Sequence, residues 1–81
     1  MVLYSEGQVL AVARFYEEEV YVGIISMEDK EKTVSLPLSL VGVTSPAENE
    51  DVFGTPLNGR INGNDYELTI PAFGSTVFAC R

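Results

Sequence analysis

Apolar and polar residues alternate with period two along much of this 81-residue chain. Lys32 to Leu38 is the cleanest case. Val34, Leu36 and Leu38 fall on one side and Thr33, Ser35 and Pro37 on the other, the signature of a half-buried strand. Pro37 cannot donate to a ladder, so this strand lies at an edge or ends there. Val2-Leu3-Tyr4 reads as a strand entering the turn Ser5-Glu6-Gly7. Gln8 to Tyr16 and Glu19 to Ser26 are longer apolar runs separated by a short charged turn, so they pair as a hairpin. Leu40, Val41 and Val43 suggest a short strand, followed by a polar loop from Thr44 to Glu50. Val52-Phe53 is an apolar dyad closed by Gly54-Thr55-Pro56. Asn58-Gly59 and Asn62-Gly63 each suit a tight turn needing positive φ. Tyr66 to Ile70 and Thr76 to Cys80 are the last two strands, joined by the corner Pro71-Ala72-Phe73-Gly74.

No window carries apolar residues at i, i+3, i+4 and i+7 over a useful length, so no helix is expected. β-branched and aromatic residues dominate the apolar runs. Seven or eight short strands with frequent turn signals predict an all-β fold, a small antiparallel β-sandwich of Greek-key-like order. Residues 2–81 make one domain, since the length fits no second core. At the corner, Pro71 fixes φ and Gly74 lets the chain reverse, which predicts that Phe73 plugs the end of the core.

The hairpin of residues 8–26 is apolar on both sides. Val9, Ala11, Ala13 and Phe15, with Val20, Val22 and Ile24, form one set. Leu10, Val12 and Tyr16, with Tyr21 and Ile25, form the other, interrupted by Arg14. A sandwich sheet ordinarily has one apolar and one polar face. The first set is expected in the core, although alternation fixes only the division into two sets and the reverse assignment fits it equally. The second is the expected docking face, because contiguous exposed apolar patches mark contact surfaces. Pairing with another copy would be the simplest cover for an isolated chain.

Charge narrows the partners. Twelve acidic residues against five basic ones leave a net charge of −7. The basic residues Arg14, Lys30, Lys32, Arg60 and Arg81 are scattered, which argues against nucleic acid and against an anionic membrane surface. No apolar run approaches the ~20 residues of a spanning helix. Met1-Val2-Leu3-Tyr4 lacks the basic start of a signal peptide, and the chain itself does not fix a location.

No catalytic, cofactor-binding or metal-ligating residue stands out. Histidine is absent, which removes the usual general base and zinc ligand. Glu17-Glu18-Glu19 reads as a solvated hairpin tip rather than a glycosidase acid pair. Asp65, beside Asn62 and Asn64, reads as turn chemistry, because the loop lacks the length and terminal Glu of a calcium site. Tyr16, Tyr21, Tyr66 and Phe73 read as packing aromatics rather than sugar platforms. The single Cys80 excludes an internal disulfide and reads as a small hydrophobe at a strand end.

One order of elements carries a resemblance. Val9-Leu10-Ala11-Val12-Ala13-Arg14 is followed by Val20-Tyr21-Val22-Gly23-Ile24-Ile25, then Thr33-Val34-Ser35-Leu36-Pro37-Leu38. Asp51-Val52-Phe53-Gly54 follows, and Leu68-Thr69-Ile70-Pro71-Ala72-Phe73-Gly74 closes the series. This resembles the C-terminal β-sandwich domain of the α-amylase superfamily of glycoside hydrolases, nearest to its neopullulanase and maltogenic-amylase branch. The resemblance implies a non-catalytic fragment of a larger starch- or maltodextrin-processing enzyme. Its partner would be the catalytic barrel domain of the same parent chain, with at most a weak α-glucan contact of its own. It implies no cofactor and no catalytic residue here, because the family's acids belong to the barrel. The alternatives are an autonomous carbohydrate-binding module and an immunoglobulin-like interaction domain.

Overall fold

The computed structural model describes residues 1–43 and 45–80. Thr44, in the expected polar loop, and Arg81 lie outside the described residues. Among the described residues there are seven strands: β1 (Val2–Glu6), β2 (Val9–Tyr16), β3 (Glu19–Ser26), β4 (Lys32–Leu36), β5 (Gly59–Asn62), β6 (Asp65–Ile70) and β7 (Ser75–Cys80). They form two antiparallel sheets, one of order β1-β2-β3-β7 (sheet A) and one of order β4-β6-β5 (sheet B). The fold is the expected all-β sandwich.

Two-residue loops close the local hairpins. Glu6 faces Val9 across Gly7-Gln8, Tyr16 faces Glu19 across Glu17-Glu18, and Asn62 faces Asp65 across Gly63-Asn64. The connections β3–β4 and β6–β7 instead cross between the sheets, and they are tied to one another. Phe73 N–H donates to the Glu28 carbonyl at 3.0 Å and Ser26 N–H to the Gly74 carbonyl at 2.8 Å. That joint sets β7 beside β3 and β6 beside β4, the Greek-key-like feature of the order.

Alternation sorts the core. Sheet A buries Val9, Ala11, Ala13, Val20, Val22, Ile24, Phe78 and Cys80, and sheet B buries Val34, Leu36, Tyr66, Leu68 and Ile70. The outer face of sheet B is polar. Thr33 and Thr69 hydroxyls lie 2.9 Å apart, the Ser35 hydroxyl donates to Asp65 at 3.0 Å, and Arg60 Nε meets Glu67 Oε1 at 2.9 Å.

The structure departs from the sequence reading at four places. β4 stops at Leu36, one residue before Pro37, and Leu38–Val41 is a 3-10 turn, not a strand. It is capped by Gly42 at φ 78, a left-handed position that suits glycine. The turn still buries Leu38, and Val43 and Leu57 join it in the core. Second, Gly59–Asn62 is a short edge strand: Asn62-Gly63 turns as expected, with Gly63 at φ 64, but Gly59 opens the strand without a positive φ, so the turn expected at Asn58-Gly59 does not form. Third, Phe15 is exposed although its set is otherwise inside. At that end the core lies under Val20 and Cys80 and stops short of β2.

The fourth departure is Phe73. It is 65% exposed, and it takes the positive φ of the corner itself, at 54. Gly74 is needed for space: a Cβ there would lie 2.7 Å from Pro71 Cγ and 2.9 Å from its carbonyl oxygen. The corner closes by Gly74 N–H donating to that carbonyl at 3.0 Å. Phe78, fully buried, is the aromatic that fills the core.

Candidate docking surface

Because Val9, Ala11 and Ala13 point inward on β2, Leu10, Val12 and Arg14 must point outward. The same rule puts Tyr21, Gly23 and Ile25 outward on β3, and Val77 and Ala79 outward on β7. The register then lines these up across the strands. Val2 pairs with Val12, Val12 with Gly23, and Gly23 with Val77, giving one apolar row across all of sheet A. The next row pairs Leu10 with Ile25, flanked by Ser5 and Ser75. Val2, Leu10, Ile25 and Val77 are 57%, 41%, 47% and 37% exposed.

Gly23 shapes the centre of this face. Without a side chain it leaves a shallow depression of about 250 Å³, bordered by Leu10, Val12, Ile25 and Val77. A Cβ at Gly23 would meet only Val77 Cγ2, at 3.7 Å. The opening is therefore not forced by crowding.

Of the five residues expected on the docking face, Leu10, Val12 and Ile25 come together around this depression. Tyr21 pairs with Arg14 in the row beyond, half-buried. Its hydroxyl donates to the Glu19 carboxylate, and that bond, with the nearby negative charge, raises the Tyr21 pKa. Tyr16 stands exposed at the hairpin end opposite Glu19, apart from the apolar rows. Val2 and Val77 belong to the face and were not among the expected residues. The alternation of Val77 against buried Phe78 is the signal that would have added Val77.

A loop adjoins the face at β7. Val52 N–H donates to the Val77 carbonyl at 2.9 Å. Asp51 organises the loop: its Oδ1 accepts from the N–H groups of Phe53 at 2.8 Å and Thr55 at 2.9 Å, and its Oδ2 from the Thr76 hydroxyl at 3.2 Å. The Thr55 N–H, then those of Phe53 and the Thr76 hydroxyl, favour the carboxylate and hold the Asp51 pKa below 3.8, against a smaller opposing effect of desolvation. At the tip Phe53 is 86% exposed.

No family model, curated protein or solved structure matches this chain.

Elsewhere, a wide concavity of about 980 Å³ lies at the β2–β3 end, between Glu17-Glu18-Glu19 and the segment Val41 to Val43. The three glutamates are all exposed. Cys80 borders the same end, but its thiol is buried and pushed up to about 11 by desolvation, so it is protonated and a poor nucleophile near neutral pH. Among the described residues no group of three His, Cys, Asp or Glu is placed to hold a metal ion.

Proposed function

We propose that this chain is a non-catalytic β-sandwich that packs the outer face of sheet A against the catalytic barrel of an α-amylase-type glycoside hydrolase acting on starch- or maltodextrin-like α-glucans. Its role there is to stabilise the barrel. The observation that carries the docking role is the exposed row Val2–Val12–Gly23–Val77 with its neighbours Leu10 and Ile25. The resemblance of the element order to that enzyme family supplies the identity of the partner.

Magnitudes favour a tethered partner over a free one. Burying the exposed parts of Val2, Leu10, Val12, Ile25 and Val77 contributes ~1 kcal/mol each, about half the value for full burial. Association of free bodies costs roughly 4–15 kcal/mol in lost motion, which consumes most or all of that gain. A linker to the partner removes much of this cost by holding the two at millimolar effective concentration. A second copy also brings another −7 of net charge, which opposes pairing.

The test is made in the intact parent enzyme. Leu10→Asp together with Ile25→Asp should shorten its half-life on heating and leave KM for maltoheptaose unchanged. Unaltered heat inactivation by the double variant would remove the docking role. Titration of the isolated chain with maltoheptaose gives the opposing outcome: saturable binding tighter than ~1 mM, about 4 kcal/mol, would make it a carbohydrate-binding module instead.

A further inference from the structure

The chain contains two Asn-Gly steps, Asn58-Gly59 and Asn62-Gly63, one at each end of β5. Asn-Gly is the dipeptide with the least steric protection against attack by the main chain on its own side-chain amide, because glycine has no Cβ to block the approach. The structure treats the two steps very differently. We propose that Asn62-Gly63 is a self-modification site, converting to aspartate and isoaspartate while Asn58-Gly59 is protected, and that this conversion releases edge strand β5.

The chemistry needs only solvent. The Gly63 main-chain nitrogen attacks the Asn62 side-chain carbonyl carbon, and a new C–N bond closes a succinimide ring. The bond to the side-chain nitrogen breaks, and ammonia leaves carrying the proton lost by the Gly63 nitrogen. Water then adds to one of the two ring carbonyls and opens the ring. One opening gives aspartate. The other gives isoaspartate, with the main chain running through the former side chain.

Reaching the attacking geometry requires rotation about the asparagine Cα–C bond, which swings its carbonyl. At Asn58 that motion breaks a hydrogen bond, because the Asn58 carbonyl accepts from Thr69 N–H at 2.8 Å. It also disturbs Gly59, which is packed so closely on Tyr66 that a Cβ would lie 2.4 Å from the ring and hydroxyl. Asn62 lacks the second restraint, and the bond that holds its carbonyl is the terminal one of the ladder, to Asp65 at the hairpin tip. Asn62 is the last residue of a four-residue edge strand, and Asn62, Gly63 and Asn64 are all exposed. Gly63 holds φ 64 with nothing within 4 Å of a built Cβ. Strand ends of this kind open at small cost.

Either product alters β5. A new carboxylate at position 62 faces Asp65, and like charges directly opposite one another destabilise a strand pair. Isoaspartate also lengthens the main chain at a two-residue loop whose length sets the hairpin register. Beyond its ladder with β6, β5 is held by the surface pair Arg60–Glu67, worth little in water, and by Gly59 against Tyr66, while Arg60, Ile61 and Asn62 are all exposed. Once β5 leaves, the peptide bond after Arg60 is open to trypsin.

The experiment incubates the protein in mildly alkaline buffer, folded and in denaturant, and follows each step by peptide mapping. Folded protein should convert at Asn62 about tenfold or more faster than at Asn58, the ratio given by ~1.4 kcal/mol of extra opening cost. In denaturant the two rates should converge. Equal rates in the folded state, faster conversion at Asn58, or the same ratio in denaturant would overturn the assignment. Converted protein should be cut by trypsin after Arg60 sooner than fresh protein, and Asn62→Ser protein incubated alike should stay resistant. Equal cleavage of fresh and converted protein would overturn the release of β5.

Discussion

The rings of Tyr66 and Phe78 meet across the two sheets, their centroids 5.8 Å apart and their planes inclined at 59°. Each comes from the strand that pairs with the non-local neighbour of its sheet, Tyr66 with Leu36 and Phe78 with Val22. The contact therefore joins the two long-range pairings that define the sandwich. Tilted aromatic pairs contribute roughly 0.5–1.5 kcal/mol beyond their buried area.

Phe78→Ala should cost roughly 3–5 kcal/mol, as for other fully buried phenylalanines, enough to unfold a chain of this size. Tyr66→Phe should be neutral or stabilising, because the Tyr66 hydroxyl is buried without a hydrogen-bond partner among the described residues. Urea denaturation of both variants checks the pair. A loss above ~1 kcal/mol for Tyr66→Phe, the size of an ordinary hydrogen bond, would show that the hydroxyl has a partner.

Stability should fall as pH rises from 9 to 11. Burial moves the Cys80 pKa from 9.0 to about 11, so between these values the unfolded chain releases a proton that the folded chain keeps. The folded state then binds more protons, and stability decreases with pH. The contribution is complete below pH 9.0 and is lost as pH passes through the folded value. Cys80→Ala should be less stable at neutral pH but flatter over the lower part of this range, before the tyrosines Tyr4, Tyr21 and Tyr66, all raised from 10.0, begin to act in the same direction. An unchanged slope in Cys80→Ala would contradict the assignment.

Phe73→Asn should be tolerated or should stabilise the fold by up to roughly 1 kcal/mol, because asparagine accepts the left-handed conformation that phenylalanine resists. The opposite expectation, a core residue whose loss unfolds the chain, follows from the sequence. A loss of more than ~2 kcal/mol, in the range of buried apolar truncations, would restore it.

Gly59 and Gly23 should respond in opposite ways to alanine. At Gly59 the new Cβ would meet the Tyr66 ring at 2.4 Å and the Glu67 carbonyl oxygen at 2.8 Å, so overpacking should cost about 1–3 kcal/mol. At Gly23 its nearest neighbour would be 3.7 Å away. Gly23→Ala should keep or slightly raise stability, since glycine weakens a strand interior. Thermal unfolding of the two variants separates them, and equal losses would mean the outer face is more crowded than its geometry implies.

The pattern of residues made most of the scaffold legible because period-two alternation is a direct consequence of backbone geometry. Val34 and Leu36, or Val20, Val22 and Ile24, could only face one way together, and burial against another sheet decided which. Where the signal was not alternation, the reading failed. Leu38-Ser39-Leu40-Val41 is apolar enough for a strand, but Pro37 and Gly42 bracket it and the chain takes a tight turn. Gly59-Arg60-Ile61-Asn62 carries almost no apolar pattern, so its pairing with β6 rests on backbone bonds that side chains do not advertise. At the corner, the sequence names a proline, an aromatic and a glycine without showing which of them adopts the strained φ. The apolar outer face of sheet A was half legible. Leu10, Val12 and Ile25 follow from alternation within one hairpin, whereas the row joining Val2 to Val77 exists only through the register of four strands.

The segment following the 3-10 turn has a consequence for how the chain behaves in a crowd. Ala47 N–H donates to the Ala79 carbonyl at 2.8 Å, and Val52 N–H to that of Val77. These two bonds occupy acceptors on the outer side of β7, where a foreign strand would otherwise add. The opposite margin of sheet A is β1, only five residues long and bulged between Val2 and Tyr4. Both margins are thus poor templates for polymerisation, the hazard that accompanies exposed apolar sheets. The molecule can offer a greasy face to a partner while denying its neighbours a ladder to extend.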